Sequence, residues 1–395
     1  MNILGIVAEY NPLHNGHAYH LKMARERAQA DAVIVCMTPC VTQRGTFACL
    51  PADTRVRMAL SYGADAVIAL PALYAVRSAE EYAQAAVSLL AGVGCNALAF
   101  GAECPDLSLL RRVSTWMVES RELYRDEIRT AMQNGQSYAE ASSMVADRLI
   151  SGAGDLLHQP NNILAVAYLS AIDRLGVHMI PYPIQRTGDY HDHTADPFQP
   201  SASAVREGII SGNWSAVQSC LPEKSYHLLE QDAHAGHLLD EKAQDFLLIS
   251  TLKRMTMSQW KSLPEISEGI EDRMRKLAES ATSYPGFIEQ CTTRRYPASR
   301  FRRLSMQALL GTTQQQLLAE PLPKTALLLG CASSSFTVFH DVKNSGIPIE
   351  GNAAKIHDAW VRIEQTAWAL HGLCCHKSQL LFRHHVLHSQ ASFSE

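Results

Sequence analysis

Near the start of the chain two histidines stand three residues apart, in Glu9-Tyr10-Asn11-Pro12-Leu13-His14-Asn15-Gly16-His17-Ala18-Tyr19-His20, directly after the apolar run Ile3 to Val7. That order reads as the end of a strand and the start of a helix, the place where an open parallel sheet receives its ligands. A helix N-terminus offers unpaired N–H groups and a positive dipole to a phosphate. Gly16 lets the backbone approach an anion with no Cβ in the way, and His14 and His17, at the helix start, can both aim donors at one phosphate. Imidazoles and amides placed so stabilise charge developing on an α-phosphate without attacking it. A lone histidine would more often be an ordinary core or surface residue, but the whole Asn-Pro-x-His-x-Gly-His string after a first strand reads as a nucleotide site. A Walker-type loop is missing from the sequence, which argues against a conventional ATPase.

A second anion site is expected at Ser201-Ala202-Ser203-Ala204-Val205-Arg206, where Ser201 or Ser203 caps a helix and Arg206, one turn in, reaches a triphosphate. A plain capped helix explains the serines alone; the company of the first motif favours the phosphate. Farther on, Arg294-Arg295-Tyr296-Pro297-Ala298-Ser299-Arg300-Phe301-Arg302-Arg303 interleaves aromatics with five arginines. Arginines hold RNA phosphates while Tyr296 or Phe301 stacks on an unpaired base; the competing reading is a solvated helix start paired with acidic neighbours. Lys253, Arg254, Arg273, Arg275 and Lys276 extend this surface, diluted by Glu271 and Asp272.

The ten cysteines show no C-x-x-C spacing and read as free, buried apolar residues rather than disulfides. Cys374, Cys375 and His376, followed by His384, His385 and His388, suggest zinc only weakly, because adjacent cysteines on one element point apart; no metal site is assigned.

Elements that must hold these residues alternate apolar runs with amphipathic stretches, the pattern of strands and helices over a parallel sheet. Strands are expected at Ile3 to Val7, Ala32 to Met37, Ala66 to Leu70, Ala97 to Gly101 and His178 to Ile184, and helices at Gly16 to Ala30, Asp53 to Ser61 and Ala79 to Leu90. Residues 107–150 read as helical, and after Ser201 the chain reads as helical with at most one short strand near Ala326 to Leu329. At 395 residues two or three domains are expected, here 1–213 with a helical insertion at about 105–160, and 214–395. Apolar residues make up 47% and charged residues 19%, an ordinary globular mix. The net charge of -4 gives no overall pull on polyanions, so RNA binding needs a local patch. No apolar run reaches membrane-span length and the first twenty residues lack a basic, then apolar leader, so a cytoplasmic protein is expected.

The His-x-Gly-His string resembles the signature of the nucleotidylyltransferase superfamily, and the serine–arginine segment is similar to the one that closes its triphosphate site. Pro160-Asn161-Asn162-Ile163-Leu164, Ile184-Gln185-Arg186-Thr187-Gly188-Asp189-Tyr190-His191-Asp192 and Gln43-Arg44-Gly45 narrow the likeness. Together, with the motifs in the family's order along the chain, they resemble the bacterial tRNA(Met) cytidine acetate ligase family, from residue 2 to about 212 and more weakly through Tyr296 to Thr313. The resemblance implies an α/β fold, a Rossmann-like doubly wound parallel sheet with a second, mostly α-helical domain that binds tRNA. It implies ATP held by Val7, Ala8, Glu9, Tyr10, Asn11, Pro12, His14, Asn15, Gly16, His17 and His20, by Gly101 and Arg186, and by Asn161 or Asn162, with Ser201, Ser203 and Arg206 at the triphosphate. Arg44 is counted with the arginines of residues 294–303 on the RNA side. It further implies acetate activated as acetyl-adenylate, then acetylation of the exocyclic amine of the wobble cytidine of elongator tRNA(Met), without acetyl-CoA.

Residue chemistry is compatible with that course. Two anions must be held together and neutralised, for which His14, His17, Arg186, Arg206 and Mg2+ are suited, with His14 and His17 as the catalytic pair. His20, His191 and Asp192 are unranked candidates for a base in the second step. The sequence departs from the family at Thr38-Pro39-Cys40-Val41, Thr46 and Pro51-Ala52, expected at the mouth of the site, where acetate selection or tRNA contact would change. The rival functions are a small-molecule adenylyl- or cytidylyltransferase and a non-catalytic tRNA-binding protein with a vestigial ATP pocket.

Overall fold

The structure, a computed structural model, describes residues 1–120, 123–186, 200–267, 269–332 and 346–389. Strand β1 (Ile3–Ala8) leads into helix α1 (Asn15–Ala28), β2 (Ala32–Met37), α2 (Ala52–Ser61), β3 (Ala66–Ala69), the short α3 (Ala72–Ala75), α4 (Ala79–Gly92) and β4 (Ala97–Ala102). Then come α5 (Leu107–Thr115), a π-helical turn at Trp116–Ser120, α6 (Arg125–Gln133), α7 (Tyr138–Leu149), α8 (Ala153–His158), α9 (Pro160–Leu175) and β5 (Ile180–Gln185). The alternation read from the sequence is thus an α/β doubly wound sheet, with ends shifted by one or two residues.

Strand order is β5-β4-β1-β2-β3, all parallel, so β1 is central and the chain leaves it toward β2 on one side and β4 on the other. That reversal opens a crevice beyond the carboxyl ends of the strands. β2, Ala-Val-Ile-Val-Cys-Met, is buried at every residue, as in a strand covered on both faces. β5 carries Pro181 and Pro183, which cannot donate to a ladder, and among the described residues it pairs only with β4.

After Ser201 the expectation of at most one short strand needs correction. β6 (Ala326–Ala332) runs antiparallel to β3, with β7 (Ile349–Glu350) and β8 (Leu387–Ser389) each parallel to it. The last part of the chain thereby extends the sheet that the first residues begin. The pairing partner lies far back in the sequence, so no local pattern announces it.

The helix Trp360–Cys374 docks on this side through Glu364, fully buried, whose carboxylate accepts from Ala72 N–H at 2.6 Å and from the Trp368 indole at 2.9 Å. Burial raises its pKa to about 7. A carboxyl raised in the folded state contributes stability that is fully present below its unfolded value, near 4.5, and is lost as pH rises through about 7. Comparing parent with Glu364→Gln, so that other titrations cancel, the parent's relative unfolding free energy should fall by about 2 kcal/mol between pH 5 and 8. A pH-independent difference in denaturant titrations would reject this.

All ten cysteines are free, and all but Cys104 are buried. Among the described residues no group of three or more His, Cys, Asp or Glu side chains could hold a metal ion, and no helix is long and apolar enough to cross a membrane.

Candidate active site

The turn after β1 is built by side chains that anchor it from several elements. Tyr10 sits at a left-handed φ of 46°, a sparsely populated conformation for a residue with a Cβ, and strain of this kind gathers at functional sites. The Asn11 side chain accepts from Cys49 N–H at 2.7 Å, and the Asn11 carbonyl accepts from Arg206 Nη1 at 2.8 Å. His14 is the N-cap of α1, and its N–H donates to His17 Nδ1 at 3.3 Å. His17 therefore keeps its proton on Nε2 and offers that N–H as a donor. The two imidazoles stack at 3.7 Å, and Tyr10 meets His17 edge-on at 5.2 Å. A Cβ at position 16 would come within 3.1 Å of the His14 ring, so glycine is what lets that ring lie against the helix start.

Burial pushes the His14 pKa down to about 3 and that of His20 to about 4, and lowers His17 as well, with the Arg186 charge adding to each. Shifted in this direction, the imidazoles are uncharged at physiological pH.

Opposite this turn, Ser201 caps the helix Ala202–Ser211 by accepting from Ala204 N–H at 3.0 Å, and Arg206 reaches from that helix to Ser203 Oγ at 3.1 Å and to the Asn11 carbonyl. From the β4–β5 side, Arg186 crosses Gly101, where a Cβ would meet its side chain at 3.0 Å, and donates to Asn161 Oδ1 at 3.0 Å. These groups border one cavity of about 1310 Å³. Val7, Ala8, Glu9, Tyr10, Asn11, His14, Asn15, Gly16, His17 and His20 line it from β1 and α1. Gly101, Asn161, Arg186, Ser201, Ser203 and Arg206 line it from the other elements.

Two residues expected here are not part of the lining. Asn162 is buried and accepts from Cys104 N–H at 3.0 Å, while its own N–H goes to Glu103, so its side chain builds the start of α9. Pro12 is buried behind the turn. His191 and Asp192 lie outside the described residues.

The departures after β2 are also relocated. Thr38, Pro39, Cys40 and Val41 are all buried and absent from the lining, as are Pro51 and Ala52; only Thr46 borders the cavity. Arg55, unremarkable in the sequence, is the residue that holds this region. Fully buried, it donates to the carbonyls of Glu9 at 2.6 Å, Thr38 at 3.0 Å and Leu50 at 3.3 Å, and to that of Pro39. No local signal marks it, because its partners come from two separate connections, β1–α1 and the long β2–α2 segment.

Gln43, Arg44 and Gly45 form a tight turn between Val41 and Phe47, which pair as an antiparallel bridge. Gly45 donates to the Thr42 carbonyl at 3.0 Å and Thr42 to that of Thr46 at 2.8 Å, with Gly45 at φ +79°, a turn closed by a left-handed glycine. The turn rests on the backbone of Arg302 and Arg303 in the helix Ala298–Leu310. Arg44 and Arg303 therefore meet at the rim of the cavity.

The arginine-rich segment is less open than its composition suggests. Phe301 is fully buried and has no face for a base, a correction to its expected stacking role. Tyr296 has Arg295 and Arg300 at 5.4 Å and 5.0 Å from its ring centre, Arg300 is spent on Glu265 and Ser267, and Arg303 lies 4.0 Å from Glu265. Arg294 and Arg302 are exposed. Of the outlying cations, Arg273 binds the Gln290 and Cys291 carbonyls and Arg275 pairs with Glu279. If Arg302 meets RNA phosphate, Arg302→Gln should flatten the slope of log affinity against log salt for tRNA by about 0.8. Parallel slopes for parent and variant would exclude it.

The family model described as HIGH Nucleotidyl Transferase matches residues 1–382. The chain is 33% identical over 383 residues to the tRNA(Met) cytidine acetate ligase of Lysinibacillus sphaericus, covering 94% of each protein. It is 33% identical over 364 residues to that of Acetivibrio thermocellus, covering 88% of each. In structure it is similar to Thermotoga maritima TmcAL, with a TM-score of 0.90 to the apo form at 25% identity, covering 98% of this chain and all of that one. A crystal structure of that protein bound with alpha-thio ATP matches with a TM-score of 0.88.

Proposed function

As a member of the tRNA(Met) cytidine acetate ligase family of HIGH nucleotidyl transferases, the chain is an ATP-using enzyme, and we propose that it joins acetate to AMP and passes the acetyl group to N4 of the wobble cytidine of elongator tRNA(Met). The observation that carries this is the convergence of His14, His17, Arg186 and Arg206 at one end of a cavity whose rim bears Arg44 and Arg303. Acetate is a poor electrophile; as a mixed anhydride with AMP it gains a good leaving group. Val7 to Asn11, Gly101, Asn161 and Arg186 would border the nucleotide, with the phosphates between the α1 N-terminus and Ser201, Ser203 and Arg206. Neutral His14 and His17 donate to the α-phosphate oxygens as charge builds there, while Arg186 and Arg206 hold the two anions together.

The described donor set offers no carboxylate cage, which suits Mg2+, an ion that keeps most of its waters and is held largely by nucleotide phosphates. Bound so, it would neutralise phosphate charge. The described residues of 214–319, helical or connecting, supply the exposed Arg294 and Arg302 toward tRNA, so we read this part as the RNA-binding portion. With ATP and tRNA as substrates, the proposed reaction is a cytoplasmic one.

Incubation of protein, ATP, isotopically labelled acetate and tRNA, followed by mass spectrometry of the tRNA, should find the label on one cytidine. Labelled pyrophosphate should exchange into ATP only when acetate is present. Exchange that instead requires a phosphorylated metabolite would make the protein a small-molecule nucleotidyltransferase. No exchange, with tRNA still bound, would make it a non-catalytic binder.

A further inference from the structure

We infer that Glu9 is the general base of the transfer step, the carboxylate that receives the attacking exocyclic amine and takes its proton; this rests on the reaction proposed above. Position is the first argument. The nucleotide-side residues Gly101, Asn161 and Arg186 stand on the β4–β5 flank, and Thr42 to Thr46 and Ser78 to Glu80 stand on the β2–β3 flank, where Arg44 and Arg303 form the rim. The histidine turn follows β1, the strand between the flanks. An acyl group attached to the α-phosphate therefore lies over the tip of β1, and Glu9 is the first residue beyond that tip.

The second argument is availability. Among the described residues lining the cavity the carboxylates are Glu9 and Glu80, and Glu80 is bonded to Arg174 at 3.3 Å. Glu9 uses Oε1 to accept from Gln43 N–H at 2.7 Å, and Oε2 has no partner among the described residues. Its backbone is pinned by Arg55 at 2.6 Å, and Gln43 is pinned by its own side chain on the Arg77 carbonyl at 2.8 Å. One oxygen is thus held while the other is left as a fixed acceptor, and a carboxylate is the group that matches the N4 donor of cytosine.

The chemistry needs such a group. The N4 lone pair is drawn into the ring, so attack is productive only if a proton leaves. N4 forms a bond to the acetyl carbonyl carbon, the bond from that carbon to the phosphate oxygen breaks with its electron pair leaving on AMP, and the surplus N–H proton passes to Glu9 Oε2 and then to solvent. Arg44, Arg206, Arg55, Tyr82 and Tyr168 face Glu9. Burial lifts its pKa above the usual carboxylate range against the pull of the arginines, which makes it a stronger base than an exposed glutamate.

The test is single-turnover transfer from synthetic acetyl-adenylate to tRNA, which bypasses activation. Glu9→Gln, whose amide oxygen can still accept from Gln43, should slow transfer at least about 10²-fold, with Glu9→Asp between it and the parent. The parent's rate should rise with pH through one ionisation to a plateau, and Glu9→Gln should lose that limb. Transfer by Glu9→Gln within threefold of the parent, or a parent rate flat in pH, overturns the role of Glu9 while the proposed function stands. No transfer by the parent itself overturns both.

Discussion

If the proposed reaction holds, acetate-dependent exchange of pyrophosphate into ATP should fall about 10²-fold or more when His17 is replaced by alanine, the expected cost of one lost transition-state donor and equivalent to about 2.7 kcal/mol. The effect is large because the ring is fixed before substrate arrives. The His14 N–H on Nδ1 sets the tautomer, stacking on His14 at 3.7 Å sets the plane, and the edge of Tyr10 closes the third side. Burial keeps the ring uncharged, so the contribution expected of it is a directed hydrogen bond rather than a diffuse field. His17→Asn, which retains a donor but not the stack, should recover part of the rate. A loss under threefold in His17→Ala, with an unchanged melting temperature, would remove His17 from the catalytic pair.

Gly45→Ala is expected to be damaging by a different route. At φ +79° a Cβ costs about 1–2 kcal/mol in the turn itself, and it would stand 2.5 Å from Arg302 C and Arg303 N. Those are backbone atoms within a helix and cannot swing aside. The turn must therefore lift from the helix Ala298–Leu310, carrying Arg44 away from Arg303 at the rim. Transfer of labelled acetate to tRNA should fall at least about tenfold, and more than pyrophosphate exchange falls, because the phosphate end of the cavity is built from other elements. Equal losses in the two assays would mean that the turn serves the fold as a whole.

What could be read in advance was what is local. The strand–turn–helix at β1 and α1 announces itself in the eighteen residues from Ile3 to His20, and the serine cap before Arg206 in six. Which way a side chain faces was harder. Phe301 looked like an RNA-stacking aromatic among arginines, yet Phe301, Leu304 and Ser305 share the buried face of one helix, a spacing that was available in the sequence. Asn161 and Asn162 are adjacent, but only the first faces the cavity, because the Cys104 N–H takes the side-chain oxygen of the second while Arg186 takes that of the first. Arg55 and β6 were illegible for one reason: most of their partners lie beyond any local window and are met only through the tertiary fold.

The antiparallel seam between β3 and β6 bears on how the molecule is made. While the polypeptide is still emerging from the ribosome, the N-terminal strands can already assemble, but the free side of β3 has no neighbour until nearly the whole chain has been synthesised. Through that interval an apolar strand edge is exposed to self-association. Nascent chains stalled before residue 326 should therefore recruit chaperones or aggregate, whereas release beyond 332 relieves the hazard.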